Sequence, residues 1–524
     1  MLNLRNIESA KSRLLAYDPT TFSGAHNSFV EYLYRIEVDD FRNIQNLKIQ
    51  FQHPVTVISG NNKIGKTSVL LLIACSHNHF KKYDATKPET ELRDHQWKDV
   101  LSFTNHETVN NNYVYRLFWR KGNNDRQGEG KRSAASKAWT GLAKYSSDLN
   151  RMNAKIRDKE VRLIDLDRVL PARNFSNSLL RKIGQLNLQN RLSNDVERAF
   201  SYVFDLDPST QVFNIGSHVN KVAYLIQPSN GDSYSSYNAA SGEESLLNIL
   251  CDIFDAPNNS LILIDEIEAG FHPTIQRKLV DIIEYVSWHH KKQFIITTHS
   301  PTLMGAFPQK SRVFIDTKMD GTYEAISKIS RNTAFSRMDS ESHPLLNLYC
   351  EDEEAKFIIR NLLVDINQTH KNFNRLVNII SSGPINEVKN DYERHKRNFP
   401  QMRMKIGYAC VFDGDYKNDP NYSNYHDNVS EFSFFLYPYM APEKFLVNAY
   451  LAANPNQQLQ SAYNFNDHHT LFQEMAHFGL AADRSQARSL CWAAFKATPE
   501  YTRLKDTFTD FIKKGVKYFS EKND

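Results

Sequence analysis

Apolar residues in this chain gather in short runs, and the flanks of the runs predict the elements. Val55-Thr56-Val57-Ile58-Ser59 is a β-branched run that ends at Gly60, and Val69-Leu70-Leu71-Leu72-Ile73 follows with helical character. That pattern predicts strand, loop, helix. Leu261-Ile262-Leu263-Ile264, behind Asn258-Asn259-Ser260, and Phe294-Ile295-Ile296-Thr297-Thr298 are continuous runs of strand length. They predict strands buried on both faces of a parallel sheet. Leu246-Leu247-Asn248-Ile249-Leu250 follows Ser241-Gly242-Glu243-Glu244 and predicts a helix with a Ser cap and acids in its first turn. Further on, Leu346-Asn347-Leu348-Tyr349-Cys350 and Tyr408-Ala409-Cys410-Val411-Phe412 read as strands, and residues 353–364 have helical period. No run approaches the roughly 20 apolar residues of a membrane span, so no membrane association is expected. Residues 1–24 lack the apolar centre of a secretory signal.

The polar residues beside these runs carry recognisable chemistry. Gly60-Asn61-Asn62-Lys63-Ile64-Gly65-Lys66-Thr67-Ser68 has the spacing of a P-loop between strand and helix, the context such a loop needs. Its glycines let backbone N–H groups turn onto phosphates, Lys66 is placed to reach the β- and γ-phosphates of ATP, and the Thr67 hydroxyl to hold Mg²⁺. Asp265 and Glu266 end the 261–264 strand, which suits a carboxylate that binds Mg²⁺ through water followed by a general base. The 294–298 strand delivers His299 to the same sheet edge, where it can hydrogen-bond the γ-phosphate.

In this order the motifs resemble the ABC-type ATPase superfamily. The resemblance covers roughly residues 30–310 and implies that Ser241, Gly242 and Glu243 close on ATP held by a second copy, hence a homodimer or higher homo-oligomer. It makes Gln96 the candidate Q-loop residue, and Ile267-Glu268-Ala269-Gly270-Phe271-His272-Pro273 looks like the dimer-facing loop. Arg35-Ile36-Glu37-Val38-Asp39-Asp40-Phe41-Arg42-Asn43-Ile44 looks like the opening of the SMC-like, DNA-associated branch. The interval from Lys66 to Ser241 is too short for that branch's coiled-coil arm.

A second set of carboxylates lies beyond. Glu351 ends the 346–350 strand, and Asp413 and Asp415 end the 408–412 strand; together they can hold Mg²⁺ or Mn²⁺ through oxygen. The order is similar to the TOPRIM fold, with Ser381-Ser382-Gly383-Pro384 as its small-residue turn and Glu443, in Ala441-Pro442-Glu443-Lys444-Phe445, as a later acid. An ABC ATPase followed by TOPRIM resembles the OLD (overcoming lysogenization defect) family of nucleases. Ala355 stands where that family places another acid, with Glu354 as the candidate substitute, so a preference for Mn²⁺ is expected.

Composition adds bounds. A chain of 524 residues accommodates two or three domains. The expected fold class is α/β: an ABC-type ATPase domain over 28–335 with a largely helical dimerisation insertion near 130–205, then a TOPRIM domain over 340–524 with a helical C-terminal region. The polar stretch 330–343 marks the boundary. A net charge of +4 is too small to establish a nucleic-acid partner. Basic residues do crowd between Arg120 and Arg162, where Gly, Asn and Ser between Gly122 and Ser136 read as a loop leading into helical sequence; phosphate contact and a solvated face explain them equally. Five scattered cysteines without CxxC spacing suit a reducing cytoplasm. The resemblance implies an ATP-regulated, metal-dependent DNA endonuclease in anti-phage defence, with a retron reverse transcriptase and its msDNA, or a helicase, as partner. The alternative is an ATPase whose TOPRIM half has lost catalysis and acts as a DNA-binding scaffold or repair mediator.

Overall fold

The computed structural model describes residues 3–18, 29, 31–82, 93–95, 97–101, 106, 112–121, 124–141, 156–169, 190–218, 221–318, 321–338, 343–369, 373–402, 405–425 and 432–522. The chain divides into two compact units, Met1–Ala334 and Phe335–Asp524.

In the first unit the short apolar runs pair into one eight-stranded sheet. Its order is Tyr323–Ser327, Arg312–Thr317, Val55–Gly60, Gln293–Thr297, Leu261–Ile264, Ile156–Ile164, His77–Lys82, Arg93–Asp94. The six inner strands run parallel, and the two edge strands are antiparallel. Every residue of Leu261–Ile264 and of Gln293–Thr297 is buried, because both faces of a parallel sheet are covered. A second, antiparallel sheet of five strands contains Glu31–Phe41, Ile44–Gln50 and Tyr113–Lys121. The Gln293 side chain binds the two sheets by taking both backbone groups of Leu33, at 3.0 and 2.7 Å.

Where residues near 130–205 are described, strands outnumber helices: Asn124–Arg132, Trp139–Gly141, Ile156–Ile164 and Asn190–Arg191 are strands, and Asn194–Phe204 is an α-helix; residues 142–155 and 170–189 of the expected helical insertion lie outside the described residues. The residues read as a loop from Gly122 onward are largely the strand Asn124–Arg132, paired along its whole length with Tyr113–Lys121. Several of the crowded cations are spent on the fold: Arg162 is buried and pairs with Glu160 and Asp252, and Lys159 is buried with its ammonium on the Glu31 carbonyl. These leave a smaller basic surface for phosphate contact than the sequence suggests.

The second unit holds a four-stranded, all-parallel sheet in the order Val377–Ser381, Leu346–Cys350, Gly407–Phe412, Ser433–Phe435. Helices Glu353–Thr369 and Ile385–Asn398 follow the first and second strands in sequence, and the long helix Pro499–Lys522 packs on the sheet through Phe519 against Tyr408 and Phe432. None of the five cysteines is in a disulfide, and four of them are buried.

Candidate functional site

Two glycines shape the loop that follows Val55–Gly60. At Gly60 φ is 152° and a Cβ would lie 2.5 Å from the Ile315 carbonyl oxygen; at Gly65 φ is 93° and a Cβ would lie 2.6 Å from Ile44 Cδ1. Only glycine fits either place. Gly65 then caps the helix Lys66–Cys75, whose first N–H groups face the loop. Lys66 is buried, and its ammonium donates to the carbonyls of Gly60 at 2.9 Å and Asn61 at 3.1 Å. Burial lowers its pKa to about 8, against the opposing pull of Glu266, Asp265 and Glu268.

The 261–264 strand brings Asp265 beneath this helix. The Thr67 hydroxyl donates to Asp265 Oδ2 at 2.8 Å, and Thr297 donates to the other carboxylate oxygen. A hydroxyl and a carboxylate in contact are a donor set that fits Mg²⁺. The next residue, Glu266, has φ 44°, a left-handed conformation that costs about 1–3 kcal/mol outside glycine. Three contacts hold it there: its N–H donates to Thr297 Oγ1 at 2.9 Å, and Arg168 donates to the carbonyls of Asp265 at 3.0 Å and Glu266 at 2.7 Å. Glu266 and His299 face each other, Oε1 to Nε2 at 3.9 Å. Burial, and then the charge of Lys66, lower the His299 pKa, which favours the neutral ring. Glu268 fixes this histidine from behind, accepting from the His299 N–H and, at 2.7 Å, from the Thr298 hydroxyl.

A pocket of about 800 Å³ lies among these groups, with Asn62, Lys63, Gly65, Lys66, Thr67 and Ser68 on one side and Glu266 and His299 on the other. Arg42 and Asn43 also line it, a contribution the sequence reading did not assign although it singled out their segment. Asn43 donates to the Lys63 carbonyl at 2.6 Å. Arg168 and Glu268 carried no signal for these positioning roles. Gln96 lies outside the described residues. Gly242 and Glu243 do not line the pocket; with Ser241 they begin the helix Ser241–Asp255. Its N-cap is Ala240, not Ser241, because the Glu243 carboxylate reaches back to accept from the Ala240 N–H at 2.9 Å.

In the second unit, Glu351 and Asp413 end adjacent parallel strands, and Asp415 follows two residues later, exposed. Asp413 is buried, and burial first, then the charges of Glu351, Asp352, Asp415 and Glu443, hold its pKa well above the carboxylate range. Burial, Asp352 and Asp415 push Glu351 up to about 7. Glu351 Oε2 and Asp413 Oδ1 are shielded from solvent and lack a hydrogen-bond partner among the described residues. Buried carboxylate oxygens left without donors, beside like charges, fit a divalent cation. Gly414, between the two aspartates, lies so close to the following turn that a Cβ would sit 2.3 Å from the Leu436 carbonyl oxygen.

One sequence expectation fails here. Glu354 has its oxygens on Arg484 at 2.8 Å and Arg488 at 3.1 Å, so it is no substitute ligand. Ala355 is wholly buried and belongs to the same apolar core as Cys350, Ile358 and Ile359. Asp352, overlooked in the sequence, has the charge that the other acids feel; its Oδ1 also caps the helix, accepting from the N–H groups of Glu354 and Ala355 at 2.9 Å each.

Residues 55–305 match the family described as "AAA domain, putative AbiEii toxin, Type IV TA system". The chain is similar to the Septu protein PtuA of Bacillus thuringiensis, 24% identical over 300 residues that cover 52% of this chain and 72% of that protein. Two solved structures align more loosely. The SMC head domain from Thermotoga maritima gives a TM-score of 0.35 at 14% identity, over 56% of this chain and 98% of that one. An Smc head domain from Pyrococcus furiosus, bound to a domain of ScpA, gives 0.33 at 11%, over 57% and 96%. With its P-loop, its Thr67–Asp265 pair and this family match, the first unit carries an AAA-type ATPase domain.

Proposed function

We propose that the protein is an ATP-regulated, metal-dependent DNA endonuclease of the OLD type, acting as a defence effector. In the first unit Lys66 and the loop N–H groups bind the phosphates, Thr67 and Asp265 hold Mg²⁺, and Glu266 accepts the proton of the attacking water. His299, kept neutral by burial, hydrogen-bonds the γ-phosphate and so couples nucleotide state to structure. Ser241 and Gly242 complete that shell in trans, which requires two copies.

The observation that carries the nuclease reading is the pair of buried, unpartnered oxygens, Glu351 Oε2 and Asp413 Oδ1, at adjacent strand ends of a parallel sheet. Glu351, Asp413 and Asp415 hold the cation, with Asp352 and Glu443 adding negative charge beside them. A Mg²⁺ or Mn²⁺ ion supplies water activation and neutralisation of the phosphodiester charge. The similarity to Septu protein PtuA, and the toxin named in the matching family's description, support an effector role. A retron reverse transcriptase with its msDNA, or a helicase, is the partner class this reading implies.

The test is cleavage of supercoiled and linear DNA with Mg²⁺ or Mn²⁺, with and without ATP. Asp413→Asn should abolish cleavage and leave ATP turnover within about twofold of wild type, because the substitution removes a ligand charge and retains the shape. Cleavage that survives in Asp413→Asn sinks the assignment. Absence of cleavage in wild type under every condition favours the scaffold, a reading that the apolar setting of Ala355 supports by leaving the family's extra acid unreplaced on that helix.

A further inference from the structure

A different donor set lies on the second unit, where the helix Pro442–Ala453 meets the turn His468–Thr470. Glu443, in the first turn of that helix, is 1% exposed. His469 Nδ1 stands 3.1 Å from Glu443 Oε1. The rings of His468 and His469 are 4.0 Å apart at their centroids, and one donor atom from each of the three residues lies within 4.8 Å of the other two. Neighbouring side chains on a helical turn ordinarily point apart; here both imidazoles converge on one buried carboxylate. Asp467 fixes the turn by accepting from the His469 N–H at 3.0 Å. His469 is hydrogen-bonded to Glu443 and His468 Nδ1 lies 3.6 Å from Asp467 Oδ1, but neither contact by itself uses the three converging donors together.

We infer that Glu443, His468 and His469 form a transition-metal site, distinct from the carboxylate cluster of Glu351, Asp413 and Asp415. Two imidazole nitrogens and one carboxylate oxygen are the ligands of borderline dications such as Zn²⁺ and Co²⁺, whereas Mg²⁺ takes oxygen ligands. Three protein ligands leave a tetrahedral ion one position for water. The site stands whether or not the unit cleaves DNA.

The experiment is equilibrium dialysis of the untagged, nucleotide-free full chain against Zn²⁺, with bound metal counted by elemental analysis, and a parallel Co²⁺ titration followed by visible absorption. Wild type and Asp413→Asn should each retain a tightly bound ion and give a Co²⁺ ligand-field spectrum. The His468→Ala/His469→Ala double variant should lose more than about 100-fold in affinity, since loss of an outer-shell partner alone costs about 10- to 100-fold. Circular dichroism checks its folding, and His469→Asn, with the same loss expected, takes its place if the double variant is not native. Three results overturn the inference: wild type retains no Zn²⁺, the histidine variants bind as wild type does, or Asp413→Asn loses the ion as completely as they do.

Discussion

Single residues decide which acids of this chain face which chemistry. Glu351, Asp352, Glu353 and Glu354 are consecutive in sequence yet have four fates. Glu351 ends a strand at the carboxylate cluster, Asp352 caps the next helix, Glu353 is exposed beside Lys356, and Glu354 is buried on two arginines more than a hundred residues ahead. Sequence could point to the cluster, but helix phase and partners distant along the chain set the register. The P-loop was legible because its chemistry is local: glycines at 60 and 65, Lys66 and Thr67 lie within one strand–loop–helix. Two consequences follow at this scale. Lys66→Ala should abolish ATP turnover, whereas Glu266→Gln should still bind ATP and hydrolyse it at least about 100-fold more slowly, as measured by phosphate release and nucleotide retention. Rapid turnover by Glu266→Gln would remove Glu266 as the base. Ala355→Glu, which a missing-ligand reading expects to strengthen Mg²⁺-dependent activity, should instead destabilise the second unit by roughly 2–5 kcal/mol, because it buries a carboxylate in an apolar core. A denaturation midpoint equal to wild type would refute that.

Elements were legible where burial is uniform and obscured where polar groups are buried in pairs. Leu261–Ile264 announces itself, whereas Ile156–Ile164, its neighbour in the same sheet, contains Arg157, Lys159 and Arg162 and reads as a basic surface. Arg162 is satisfied by Glu160 and by Asp252 on another element, and Lys159 by the Glu31 carbonyl. No local pattern encodes those partners. The same pairing makes the helix Pro273–His290 sensitive to pH where Leu4–Ala16 lies on it. Burial pushes Glu284 to about 8, with Lys11 opposing and Asp281 and Glu8 adding to the rise. The folded state therefore keeps a proton that the unfolded chain releases near 4.5, so stability from this group is complete below 4.5 and is lost as pH rises to about 8. Glu284→Gln keeps the shape and removes the titration. Its melting temperature at pH 8 should exceed that of wild type by roughly 2–4 °C or more, and the difference should vanish near pH 4.5. A gap that does not change with pH would show that Glu284 is not the group responsible.

At the scale of the whole molecule, the ATPase parts lie in a pocket and at the start of the helix Ser241–Asp255, whose Gly242 and Glu243 do not line that pocket. The pocket takes its walls from the P-loop, Glu266, His299, Arg42 and Asn43, while Gly242 lies against the loop at Gly270, its position for a Cβ 3.0 Å from the Gly270 carbonyl oxygen. If a second copy supplies Ser241 and Gly242 to the pocket, each of two sites needs one intact P-loop and one intact helix start from opposite chains. Lys66→Ala breaks the first part and Ser241→Arg the second, so either variant alone should be inactive. Mixed in equal amounts, they should form heterodimers in which one site has both parts broken and the other has both intact. Turnover should then recover to a sizeable fraction of wild type, and Glu266→Gln with ATP should sediment as a dimer. Recovery cannot occur if the helix start acts within its own chain, because every site would then keep a broken part. An inactive mixture, under conditions where sedimentation confirms that the two variants associate, would rule out the composite site.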